Sequence, residues 1–342
     1  MRSRHIVILN TLCLLTMLYN IDWDIEFKAN GKSHRLAFLT ECEIFSSVDN
    51  LTDTAVIVLP EMRMNRPIDD ELRSKVERGS EVTIRLGYNG DVRTEFVGFV
   101  REITTNDSSL KIHCEDALFL FRKGIPDVEM KPASLKEVAQ YVVDHVDGSY
   151  TVSCDYEINY EKFTIHQATG FDVLKKLQEE TAANVYFDTE HKILHIHPPY
   201  LEKGGQVRYS MQQNVETSSL EFNNLLDYKV EVTVESTDIN GGVHQITVGT
   251  TGGDKKTHKT RKPMNEASMR RVAEGILKRA TAPRYEGNFD AWLVPFVKPT
   301  YSARIVDDDY PDKTGWYYVK SVTTSISENG GKRTVTPGVK LS

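Results

Sequence analysis

The chain has 342 residues, 39% of them apolar and 9% aromatic, which is enough to build two or three cores and too apolar for a disordered chain. A formal net charge of −7 excludes a general nucleic-acid binder. Cys13, Cys42, Cys114 and Cys154 lie too far apart for a C-x-x-C zinc module or a disulfide framework, and fit a reducing compartment.

At the N-terminus, Arg2, Arg4 and His5 precede an apolar run over 6–18, the order found in a secretory leader. The run is short for a bilayer span, which takes ~20 apolar residues, and no small-x-small cleavage site follows. Residues 1–21 are therefore read as an N-terminal extension, with Met17 as an alternative start. From 22 to 125 the chain reads as strands and turns. Val82, Ile84 and Leu86 alternate with Thr83 and Arg85, and Leu110, Ile112 and Cys114 alternate with Lys111, His113 and Glu115. That period of two gives each strand one buried and one wet face. Asn89-Gly90 supplies a hairpin turn, because both residues tolerate positive φ. A small barrel or sandwich is expected here.

The pattern changes at Pro126, and 126–205 reads as an α+β insert. Ser134 and Glu137 form a capping box ahead of a helix whose apolar face is Leu135, Val138, Ala139, Val142 and Val146. Thr169 and Asp172 cap a second helix that runs to about Asn184. Strands are expected at 150–154, 185–188 and 193–197, and Pro198-Pro199 closes the unit. The remainder, 206–342, reads as a second barrel carrying a loop and helix insertion at 236–282. Tyr228, Val230, Val232 and Val234 form its clearest amphipathic strand, with the apolar face directed into that barrel. The Gly-, Thr- and Lys-rich stretch 236–264 is expected to be an exposed, mobile loop. A helix follows over about 265–280, then strands at 316–322 and 334–341. The fold class is mainly β with an α+β insert: two antiparallel β-barrels flanking a smaller α+β domain.

Signatures of catalysis are absent: there is no G-x-S-x-G and no H-E-x-x-H. The stretch GTTGGDK at 249–255 puts Asp254 where a phosphate-binding loop needs glycine before its lysine. His195 and His197 share one strand face, and His191 would lie two steps along it as a third metal ligand. No Cys or acidic motif of metal spacing accompanies them, so a wet or interface-facing strand edge is the favoured reading. Asp307, Asp308, Asp309 and Asp312 lack calcium-loop spacing, because Tyr310-Pro311 interrupts it, and read as a solvated hairpin loop. No catalytic, metal or cofactor residue is assigned. The basic run Lys255, Lys256, Lys259, Arg261 and Lys262 is the candidate partner-binding segment. It meets nucleic acid or an acidic partner surface, or is simply solvated; no aromatics are interleaved to stack single-stranded bases.

Four segments resemble the phage tail hub proteins of the late-control-D type, relatives of the hub halves of contractile-injection and type VI secretion spikes. They are 43–60 (EIFSSVDNLTDTAVIVLP); 79–87 (GSEVTIRLG) with 96–100 (FVGFV) and 110–117 (LKIHCEDA); 169–174 (TGFDVL); and 310–322 (YPDKTGWYYVKSV) with 330–333 (GGKR) and 338–341 (GVKL). No single segment is a strict motif; their order and spacing from about residue 22 onward carry the resemblance. The N-terminal extension and the stretch 236–264 depart from it. The resemblance implies a homotrimeric ring in the virion baseplate, assembled in the host cytoplasm. Each chain would contribute two tube-like barrels, joining a sixfold tail tube or distal tail protein to a threefold central spike. The tape measure protein would be a further partner, and DNA would pass without specific binding. It implies no enzyme activity, cofactor or membrane anchor. A secreted β-rich protein binding cell-surface glycans is the alternative from another class, and a tail-associated peptidoglycan hydrolase a third.

Overall fold

The computed structural model describes residues 20–60, 75–105, 109–201, 204–225 and 227–342. The leader-like segment at 1–19 lies outside the described residues. The first β module contains β1 (Ile21–Ala29), β2 (Lys32–Arg35), β3 (Glu41–Ser47), β4 (Thr54–Pro60), β5 (Glu81–Tyr88), β6 (Asp91–Thr105) and β7 (Ser109–Glu115). They pair antiparallel in the order β3-β4-β7-β6-β5-β1-β2. The expected alternation holds: Val82, Ile84, Leu86, Leu110, Ile112 and Cys114 pack with Ile25, Phe27, Ile44 and Ile57 in one core. Each fully buried aliphatic side chain of this kind contributes about 1.5–3 kcal/mol over an exposed one. The β5–β6 hairpin turns on Asn89 (φ 52°) and Gly90 (φ 85°), the positive angles that match the twist of flanking strands.

The chain leaves β7 through a 3-10 turn, Ala117–Arg122, capped by Asp116. It then enters an α+β unit of α1 (Leu135–Val146), β8 (Thr151–Cys154), α2 (Gly170–Thr181), β9 (Asn184–Asp188) and β10 (Ile193–His197). Both helices start with the capping boxes read from sequence. Ser134 Oγ accepts from the Glu137 amide while the Glu137 carboxylate accepts from the Ser134 amide at 2.7 Å. Thr169 and Asp172 do the same for α2. These reciprocal bonds satisfy amides that a helix start otherwise leaves unpaired.

After β11 (Gln206–Ser210) the structure departs from the expectation. The stretch 236–264 is not a loop. It folds with the preceding strand into a three-stranded sheet of β12 (Val230–Thr237), β13 (Val243–Gly249) and β14 (Asp254–Thr260), with β12 central. Its glycines make the turns between strands rather than an open chain: Gly241, Gly249 and Gly252 all have positive φ. The helix α3 (Glu266–Thr281), N-capped by Asn265, packs across this sheet. Val230, Val232 and Val234 are buried with Met269, Val272 and Ala273 of α3 and with Leu135, Val138 and Leu174 of the α+β unit. They therefore build the middle core and not the inside of a barrel, and Tyr228 is exposed. Alternation along β12 marked its buried face correctly; which neighbour covers that face depends on α3, more than thirty residues later.

The second β module comprises β11 with β15 (Arg284–Glu286), β16 (Phe289–Ala291), β17 (Ser302–Val306), β18 (Gly315–Ser327) and β19 (Gly330–Lys340). Its core of Tyr209, Tyr285, Phe289, Ala303, Ile305, Tyr317, Val319 and Val335 is richer in tyrosine than the first. The molecule is thus mainly β, with large antiparallel sheets and the helices gathered in the middle. A direct test of the strand at 254–260 is limited trypsin digestion followed by mass spectrometry. The bonds after Lys255, Lys256 and Lys259 are expected to resist, since cleavage requires unpairing β14 from β12. First cleavage after Lys255, Lys256 or Lys259 would contradict this structure.

Candidate functional site

The feature that distinguishes this chain chemically is the joint between its β modules. β3 of the first pairs antiparallel with β18 of the second, from Ser47↔Ser321 to Cys42↔Ile326, so one sheet runs through both. Behind this ladder Arg333 of β19 reaches into the first module and meets Glu95 of β6, 238 residues away in sequence. The pair is bidentate, at 2.8 and 3.0 Å, and both side chains are buried, 1% and 4% exposed. The same guanidinium donates to Thr324 Oγ1 at 3.0 Å and to the carbonyls of Leu293 and Val297 at 2.8 and 3.3 Å, with Phe296 beside it. Tyr88 adds a bond from its hydroxyl to the Gly331 carbonyl at 3.2 Å. At Gly331 a Cβ would come within 2.8 Å of the Leu293 side chain, so any larger residue there would have to displace Leu293. Sequence reading found none of this. An arginine in an alternating strand has no visible partner, and only the paired sheets bring one.

A second set of charges ties the first module to the middle unit. Glu115 is buried and bound by Arg122, whose guanidinium also lies 4.7 Å from the ring of Phe171 on α2. Next to it, Asp116 accepts from the Leu118 amide at 2.9 Å, the Asp53 amide at 3.0 Å and Thr52 Oγ1 at 3.1 Å. Burial holds the carboxyls of Asp53 and Asp116 above the usual range, Asp53 at about 6, and the negative charge of Asp53 adds to the effect on Asp116. The Cys-Glu-Asp-Ala step read at 114–117 is thus a fastening point: a core thiol, a buried ion pair and a turn cap in succession. Burial also pushes the thiols of Cys42 and Cys114 well up, so neither is a nucleophile at neutral pH.

Asp53 and Asp116 border a cavity of about 350 Å³ where the three units meet, lined also by Glu95, Tyr186, His195, Lys298 and Tyr301. His195 and His197 share a strand face as expected, with His195 Nδ1 3.2 Å from His197 Nε2. His195 stacks on Tyr186, and His197 Nδ1 lies 3.4 Å from the Asp155 carboxylate. His191 is not the third member of that face. It sits in the tight turn between β9 and β10, bound to Asp188 through its own amide and ring. Among the described residues no three His, Cys, Asp or Glu side chains group with metal-binding spacing. Asp307, Asp308, Asp309 and Asp312 occupy the turn between β17 and β18, where Asp307 accepts from the amides of Asp309 and Tyr310.

The five basic residues of the candidate partner segment are divided by β14. Lys259 pairs with Glu235 at 3.0 Å on the outer face of the sheet. Lys262 turns inward, donating to the Thr164 carbonyl at 2.7 Å over the ring of Phe163, and burial with the like charge of Lys176 holds its ammonium below the usual lysine range. Lys255 and Arg261 are exposed. Lys256 lines a cleft.

No family model matches the chain, and no curated protein matches it by sequence. Solved structures do match. A tail protein from Neisseria meningitidis shares 13% identity, with 92% of this chain and 96% of that one aligned at a TM-score of 0.65. The 43 kDa tail protein of prophage MuSo2 from Shewanella oneidensis shares 15%, covering 92% and 98% at 0.64. An Escherichia coli component of the type VI secretion system shares 10%, covering 93% and 77% at 0.59. The chain has the fold of phage tail proteins. The whole tail-protein fold is present, both β modules and the middle unit together, which agrees with the resemblance read from the four sequence segments. No helix among the described residues is long and apolar enough to cross a membrane.

Two measurements test the buried charges of this fold. Arg333→Met leaves Glu95 buried without its partner and is expected to cost about 3–5 kcal/mol in chemical denaturation, with Glu95→Gln smaller and the double variant Arg333→Met/Glu95→Met recovering part of the loss. Glu180, buried at the end of α2, has its carboxyl raised from 4.5 to about 7 by burial, against the pull of Lys176 and Lys262. The folded pKa is above the unfolded one, so Glu180 favours the fold below pH 4.5 and loses that contribution as pH rises to about 7. Glu180→Gln is therefore expected to gain about 2 kcal/mol at roughly pH 8 and nothing at roughly pH 4, read from denaturation curves at the two values.

Proposed function

We propose that this chain is a structural hub protein of a phage tail baseplate. It forms a homotrimeric ring in which three chains set out six β modules, matching a sixfold tail tube or distal tail protein above and a threefold central spike below. The tape measure protein passes its lumen, and DNA follows without specific binding. Its place is the virion, after assembly in the bacterial cytoplasm, and it works without catalysis, cofactor or membrane anchor. The observation that carries this reading is the joint: one sheet spans both modules, and the buried Glu95–Arg333 pair holds them at a single relative orientation. A connector between two symmetries needs two modules per chain that cannot pivot. The tail-protein fold shared with two phage tail proteins and a type VI secretion component supports the same reading.

Sedimentation of the purified protein, alone and mixed with the tube and spike proteins encoded beside it, tests the proposal. A trimer is expected, at least once the spike is present. A chain that stays monomeric with both partners in excess would rule the hub out.

A further inference from the structure

The second β module and the middle unit enclose a cleft of about 430 Å³ whose charge opposes that of the whole chain. Four cations line it: Lys256 from β14, Arg279 from the last turn of α3, Arg284 from β15 and Lys320 from β18. Two carboxylates answer them. Asp49 takes Arg279 at 3.3 Å and Lys320 at 3.1 Å, and Glu286 takes Arg284 at 2.9 Å. Arg284 also donates to the Arg279 carbonyl at 3.2 Å, near the end of α3. Lys256 has no ion pair among the described residues, although β14 is held in register by β12 on its inner side. Tyr200, Ile276, Tyr285 and Pro337 supply an apolar wall between these charges.

We propose that this cleft binds an acidic peptide segment of a partner protein, one that sets apolar side chains beside its carboxylates. The chemistry is the one the cleft already performs. Its cations hold carboxylates within the chain, and Asp49 is shared between two of them as a glutamate of a docked segment would be shared between Lys256 and its neighbours. A volume of this size is that of a cleft receiving a short segment or small ligand. The apolar wall suits aliphatic side chains. A nucleic-acid backbone fits worse: its phosphates would lie against Asp49 and Glu286, and the basic residues gather in one recess and not in a stripe along which a backbone could track. Excess positive charge in a recess of a chain of net charge −7 would steer an acidic segment there during encounter.

The test is fluorescence anisotropy of a labelled hexapeptide of alternating Glu and Leu added to the full-length protein at low salt. A Gln/Leu peptide and a short labelled DNA duplex serve as comparisons. The Glu/Leu peptide is expected to bind more tightly than either. Lys256→Ala should weaken it, and Lys256→Glu should weaken it further, about tenfold overall. Because the two variants are ranked by charge at an exposed position, a general folding defect would not reproduce that order. Lys259→Gln, on the opposite face of β14, should bind as the parent does. The proposal fails if the Glu/Leu peptide does not bind, or if Lys256→Glu binds it as well as the parent. It fails equally if the duplex binds more tightly and loses affinity in the same variant, which would assign the cleft to nucleic acid.

Discussion

Two β modules in one chain can sit in many relative positions unless something makes the others costly, and here that constraint is the burial of Arg333 against Glu95. An arginine removed from water needs nearly all of its donors answered. The Nη1 and Nη2 donors of Arg333 are answered by a carboxylate from the first module and by a hydroxyl and two carbonyls from the second, while its Nε–H has no hydrogen-bond partner among the described residues. Only when β3 lies in register on β18 do these groups converge. A slip of one residue in that ladder would turn every side chain of the edge to the other face and leave the ion pair broken in a dry seam. Hydrophobic burial drives each module to fold; the ion pair sets how the two are joined.

The same logic recurs at the other boundaries. Glu115 with Arg122 and Asp116 with Thr52 fasten the first module to the middle unit, and Asn184 with Tyr318 fastens the middle unit to the second module at 3.0 Å. Each unit has its own apolar core, and directional polar contacts are added at the boundaries beside apolar ones such as Val48 with Tyr318 and Val339. Polar contacts are directional, so they fix orientation where interchangeable aliphatic contacts would allow sliding. Polar contacts of this kind hold the three units at set angles to one another. The separate cores account for a fold retained in tail proteins at 13–15% identity: alternation and volume are enough to keep each core, whatever the particular residues.

The middle unit is where reading along the chain was least adequate. Its core draws on residues from Leu51 to Ala280, so a linear division cannot describe it. The stretch 236–264 looked like an open loop because glycine, threonine and lysine carry no strong strand signal of their own. Its outer strands have little to bury on their outward face, and they are ordered by hydrogen bonding to β12 and by α3. The basic residues in it were legible as a group, but their separation into an outer ion pair at Lys259, an inward-turned Lys262 and a cleft-lining Lys256 follows from the strand's two faces.

What the sequence by itself determined is local and periodic. The capping boxes at Ser134 and Thr169, the Asn89-Gly90 hairpin, the alternating faces of β5, β7 and β12 and the shared face of His195 and His197 each depend on residues within a few positions of one another. Their outcome is set by backbone sterics and hydrogen-bond reach, which act at that range. Only the tertiary structure decided that β12 covers the middle core, that Glu95 finds Arg333, and that Lys256 shares a cleft with Arg279, Arg284 and Lys320. Those pairings join segments tens to hundreds of residues apart, and no periodicity along the chain specifies which of many similar strands or charges will become neighbours once loops close and cores pack.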